Sequence, residues 1–103
     1  MTTNEQQRLS RRRATREMLE ADAYADALVN TFRDTPHERE AARLAQLVAD
    51  SAVDASRLHR GADRDPRAAE GAEAARVKAK AERQRAEEAV QRWFDENNRA
   101  RGG

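Results

Sequence analysis

The sequence has no cysteine, no isoleucine, two prolines and only four aromatic residues. Without cysteine there can be no disulfide and no thiolate-liganded zinc or iron–sulfur site, the staples on which small secreted domains usually rely. The strongest strand formers are nearly missing, and no alternating apolar run is free of alanine or charge, so no β-sheet is expected. No apolar stretch approaches the roughly 18 residues of a membrane span. Residues 1–13 lack the apolar segment of a secretory signal, and a cytoplasmic location without membrane contact is expected. Catalytic signatures are missing too: there is no G-x-S-x-G elbow, P-loop, G-x-G-x-x-G or H-E-x-x-H. A non-enzymatic protein with no cofactor and no small-molecule substrate is the expectation.

What is present is alanine and charge. Alanine occurs 22 times and 38% of residues are charged, yet the net charge is only +1. Balanced charge does not drive the chain open, and alanine has the highest helix propensity of any residue. Leu, Val and Phe number 6, 5 and 2. One small helical domain with a thin core follows, because a chain of this length builds a single core.

Capping signals place the helix starts. Thr2 with Glu5, and Thr3 with Gln6, form two overlapping capping boxes, and a first helix is predicted over 4–33. Thr35-Pro36-His37-Glu38 combines a T-x-x-E box with proline at the first helical position, which starts a second helix over 36–60. After the turn Gly61-Ala62-Asp63-Arg64, Asp65-Pro66 repeats the device for a third helix over 66–97, with residues 98–103 as a flexible tail. Apolar stripes agree with these limits: Ala14, Met18, Ala21, Ala25, Leu28 and Phe32 in the first helix, and Ala41, Leu44, Val48, Ala52, Ala55 and Leu58 in the second. Ala68, Ala72, Ala75, Ala79, Ala86, Val90 and Trp93 make the stripe of the third.

Short connections between long helices predict an all-α, up-down-up three-helix bundle with coiled-coil-like, alanine-rich packing. At about 1.5 Å per residue, Trp93 and Phe94 then fall at the end that carries Phe32 and His37. The competing arrangement is a helical hairpin whose long third helix projects as an arm.

His37 and His59 lie about 33 Å apart on one helix and cannot share a metal; packing and capping account for both. The i, i+4 carboxylate pairs Asp22/Asp26 and Asp50/Asp54 lack the histidine of di-iron bundles and read as solvated faces. The most suggestive basic feature is the stripe Arg8, Arg12 and Arg16, flanked by Arg11 and Arg13, which could follow a phosphate backbone. Against it, residues 17–26 carry four acidic side chains and no basic one. A second basic group, Arg76, Lys78, Lys80, Arg83 and Arg85, divides between sides of the third helix.

The reading that follows is a protein-interaction module: an adaptor, an inhibitor, or an assembly subunit such as a viral or mobile-element accessory protein. Leu19, Ala23, Ala27, Val53 and Val77 lie off the main stripes and are the candidate partner contacts. The alternative is a nucleic-acid-binding accessory protein using Arg8, Arg11, Arg12, Arg13 and Arg16. Few large apolar residues to offset chain entropy make association, with a partner or a second copy, an expected source of stability. The alanine stripe of the third helix is the expected seat for that copy.

Overall fold

Each helix begins at or near a capping residue visible in the sequence. The computed structural model describes residues 2–62 and 64–102, apart from the side chains of Thr3, Asn4, Gln7 and Ser10. Helix α1 spans Thr3–Thr31, and its N-cap Thr2 exchanges hydrogen bonds with Glu5 in the expected box. The companion box of Thr3 with Gln6, residue Asp63 of the second turn, and Gly103 lie outside the described residues. Helix α2 spans Glu38–Ala62, two residues later than expected. The Thr35 hydroxyl accepts from the His37 N–H and donates to the Phe32 carbonyl, while the Glu38 N–H turns to the Thr35 carbonyl. Thr35 therefore ties both helix ends together instead of serving only the second. Asp34, at φ 61°, occupies the left-handed region that aspartate tolerates better than most side chains.

The third helical segment opens with a short 3-10 turn, Pro66–Ala68, capped by the Asp65 carboxylate accepting from the Arg67 N–H at 3.1 Å. Helix α3 then runs Ala69–Gly102. Residues 98–102 are therefore helical, not the flexible tail the sequence suggested. Nothing in 95–101 breaks a helix, and Arg99 and Arg101 complement the negative end of the helix dipole. No strand occurs among the described residues.

The architecture is an up-down-up bundle centred on α2, along which both other helices pack. Two contacts fix α1 and α3 as parallel neighbours in one register. Trp93 meets Phe32, and Arg76 meets Glu17 from 59 positions away. The projecting-arm arrangement is thereby replaced by a bundle, although Phe94 to Gly102 are all exposed. The molecule is a rod of 59 × 21 × 17 Å.

Alanine dominates the interior. Of the fifteen buried apolar residues among those described, eleven are alanine, and the larger ones are Leu28, Phe32, Leu44 and Val48. All six stripe positions of α1 are buried or half-buried, as are those of α3 from Ala68 to Trp93. In α2 the stripe fails at one position: Leu58 is 45% exposed, while Ser56 and His59 are buried. Heptad spacing drifts by about 20° per repeat around a straight helix, so a residue two heptads beyond Leu44 has rotated out and His59 has rotated in. The alanine stripe of α3 is covered within the bundle, with Ala72 and Ala86 fully buried. Ala68, Ala75 and Ala79 are half-buried, so this chain's own helices already occupy much of the stripe expected to seat a second copy.

Close-packed alanine seams should resist enlargement. Ala86→Leu is expected to cost about 1–3 kcal/mol through forced separation of the helices. Urea unfolding followed by circular dichroism measures it; an unchanged midpoint would show a looser interior than the one described.

Candidate functional site

Two polar and apolar centres sit where α1 and α3 come together, and both arise from residues on facing helix flanks. Arg76 emerges from the alanine stripe of α3 and is 9% exposed. Its Nε and Nη2 donate to the two Glu17 carboxylate oxygens at 2.8 Å each, and its Nη1 donates to Glu73 Oε1 at 2.8 Å. This forked pairing matches the planar guanidinium to a carboxylate. Lys80 Nζ approaches Glu17 at 3.6 Å, Arg13 approaches Glu73 at 3.8 Å, and the buried His59 Nε2 lies 3.9 Å from Glu73. Burial pushes the Glu17 carboxyl upward, but the hydrogen bonds and charge of Arg76, helped by Lys80 and Arg13, outweigh it and hold the group below its ordinary value. The Glu17 hydrogen bonds in turn raise Arg76 against the opposing effect of burial. Beside this network, Ala14, Met18 and Ala21 of α1, Ala52 and Ala55 of α2, and Ala79 of α3 line a cleft of about 210 Å3.

At the other end the aromatic side chains gather. Trp93 stacks on His37, with centroids 4.5 Å apart and planes 10° from parallel, and meets Phe32 edge-on at 4.9 Å. Phe94 lies 5.9 Å from Phe32 and is 46% exposed. An open cleft of about 490 Å3 runs between Thr31–His37 and the last turns of α3, bordered by Asn97 and Arg101. Between the two centres, Arg83 sits 5.1 Å from the Tyr24 ring centroid in a cation–π contact and also bonds Glu87.

The outward faces carry the residues singled out in the sequence. Leu19 is 60% exposed, and Ala23 and Ala27 continue its exposed row on α1 at i+4 and i+8. Val77 is exposed on α3, on the side opposite its alanine stripe, and Val53 is half-buried on α2. These five residues therefore belong to three helices, and only the α1 trio forms one row. Arg8, Arg11, Arg12, Arg13 and Arg16 are all exposed. Arg13 leans toward Glu73, while Arg8, Arg12 and Arg16 occupy the outer face of α1 just ahead of Leu19. The second basic group is largely paired: Arg76 and Lys80 with Glu17, Arg83 with Glu87, and Arg85 with Glu82.

Sequence reasoning foresaw the meeting of Trp93 and Phe94 with Phe32 and His37, but not the cleft beside them. It missed the Arg76–Glu17 pair, whose only signal was an arginine interrupting the buried flank of α3. No group of three or more histidine, aspartate or glutamate side chains able to hold a metal ion occurs among the described residues. None of their helices is long and apolar enough to cross a membrane. No protein-family model, curated protein or solved structure matches the chain.

The pairing predicts a pH dependence with a definite sign. A carboxylate held below its ordinary value contributes stability above the unfolded-state pKa, and loses it as pH falls through the lower folded value. The Tm should decline as pH drops from about 5 toward 3, the range in which carboxylates titrate, and Glu17→Gln should flatten that decline. Glu17→Gln should also cost about 1–3 kcal/mol at neutral pH, typical for hydrogen bonds to charged groups. Equal acid slopes for both proteins in calorimetry would remove Glu17 from the account.

Proposed function

We propose that the chain is a small non-enzymatic, cytoplasmic helical module that works by binding protein, as an adaptor, an inhibitor or an assembly subunit of the viral or mobile-element accessory type. One observation carries the reading. Of the thirteen Leu, Val and Phe side chains, six are well exposed (Leu9, Leu19, Leu47, Leu58, Val77 and Phe94) while four are buried. A protein with so few large apolar residues that leaves nearly half of them in water has surface suited to burial against a partner. Coiled-coil-like packing of a partner helix suits an exposed row of apolar residues at helical spacing. Leu19, Ala23 and Ala27 form one contact row of this kind; Val53 and Val77 extend the candidate surface around the bundle.

A second reading rests on Arg8, Arg12 and Arg16, which point outward together and could contact successive phosphates of a nucleic acid. The adjoining acidic stretch Glu17, Glu20, Asp22 and Asp26 limits such a contact to the first four turns of α1.

The test is capture of a discrete binding protein, a second copy included, by tagged chain at near-native concentration. Leu19→Glu should weaken capture by about tenfold or more, as loss of an interface anchor does. Failure to retain any protein or to self-associate, together with duplex binding whose logarithmic salt slope falls by up to about three in the Arg8, Arg12 and Arg16 alanine variant, would favour the second reading.

A further inference from the structure

We propose that the outer face of α1 is a self-complementary surface that pairs antiparallel with α1 of a second copy, with Leu19 at the two-fold axis. The inference rests on the protein-interaction reading and names its partner. Taking about 100° per residue, the buried side of α1 faces Ala21, Ala25 and Phe32, and the opposite side presents Leu9, Arg12, Arg16, Leu19, Ala23 and Asp26. All six are exposed. Leu19, at 60%, is the most exposed large apolar side chain among the described residues.

Charge along this face is divided by position. The first half of α1 carries Arg8, Arg11, Arg12, Arg13 and Arg16 against Glu5, and the next ten residues carry Glu17, Glu20, Asp22 and Asp26 with no basic side chain. A parallel partner would set Arg12 against Arg12. An antiparallel one, centred on Leu19, brings Arg12 level with the partner's Asp26, since the two lie seven residues on either side of the axis. It also places Arg16 within a turn of the partner's Glu20 and Leu9 within a turn of the partner's Ala27. Two equal sets of ion pairs therefore flank a central Leu19 contact, as an isologous two-fold interface requires. Glu17 takes no part, because Arg76 already holds it.

The surface is narrow. An overlap from Leu9 to Asp26 and slightly beyond is about 30 Å long and one helix, or about 10 Å, wide. That falls below the standard interface size, and a weak, salt-sensitive dimer is expected, with dissociation in the micromolar range or above.

Because the chain has no cysteine, a single introduced thiol reports its own neighbourhood. Full-length Leu19→Cys, oxidised at concentrations near 100 micromolar, should form a disulfide-linked dimer at least about tenfold faster than Val77→Cys, whose site lies on α3, away from the axis. Sedimentation equilibrium at low salt should show dimer for the unmodified chain. Arg12→Glu should weaken association by about tenfold or more, and combining it with Asp26→Arg should restore most of the loss. All these positions are exposed, so the variants keep the fold, and circular dichroism checks it. A monomer at every concentration, or equal cross-linking at both thiols, overturns the pairing. If such a monomer still binds a protein partner, the broader interaction reading survives without it. If it binds duplex DNA and Arg12→Glu abolishes that, the arginine row serves phosphate and the pairing is likewise overturned.

Discussion

Close approach of alanine faces to α2 is the constraint on which the rest of this bundle depends. An alanine seam buries little area per residue, at about 25 cal/mol per Å2, so the helices gain from it only by lying near one another over a long distance. That explains the shape, a rod 59 Å long made from three long helices. It also explains why the larger groups sit where they do. Leu28, Phe32, Leu44 and Val48 gather toward the α1–α2 turn, and the aromatic cluster of Phe32, His37, Trp93 and Phe94 closes that end. Between α1 and α3 the seam does not close with small residues. Arg76, Lys80 and Arg83 reach across from α3 to Glu17 and Tyr24.

This division of labour has energetic consequences. The aromatic end supplies apolar area and specific ring geometry, which can exceed simple area burial by about 0.5–1.5 kcal/mol per pair. The Arg76–Glu17 pair supplies register. A half-buried ion pair is a weak source of net stability, because desolvation offsets much of its attraction. Misaligned by a turn, however, it would leave a guanidinium stranded in an alanine environment. The pair thus favours one axial placement of α3 on α1, where alanine alone would permit sliding.

Much of this was legible in the sequence, for physical reasons that differ by element. Helix starts were readable because Thr2, Asp65 and Pro66 act locally and need no tertiary partner. The level of Trp93 with Phe32 was readable because helix rise is fixed. The exchange of Leu58 for His59 was not, because an alanine-rich heptad pattern constrains rotation only weakly and a straight helix drifts out of it. Arg76 read as part of a basic surface group because its partner lies 59 residues away, beyond any local spacing rule. The extension of α3 to Gly102 was missed because two terminal glycines suggested an earlier stop than the intervening Arg and Ala residues require. Of the candidate contacts, the row Leu19, Ala23 and Ala27 could be assembled from spacing alone. The relation of Val53 and Val77 to that row depends on how three helices are arranged, which spacing does not carry.

The central claim is that α3 is integral to the bundle and not an arm attached to a hairpin. Native-state amide exchange measures this residue by residue, because segments that open independently exchange with their own, lower free energies. Amides of α2, of Ala14–Leu28 in α1 and of Ala72–Trp93 in α3 should share one slowest class and exchange through a common opening, while Phe94–Gly102 exchange faster. Rapid exchange throughout α3 alongside a protected α1–α2 pair would contradict the account.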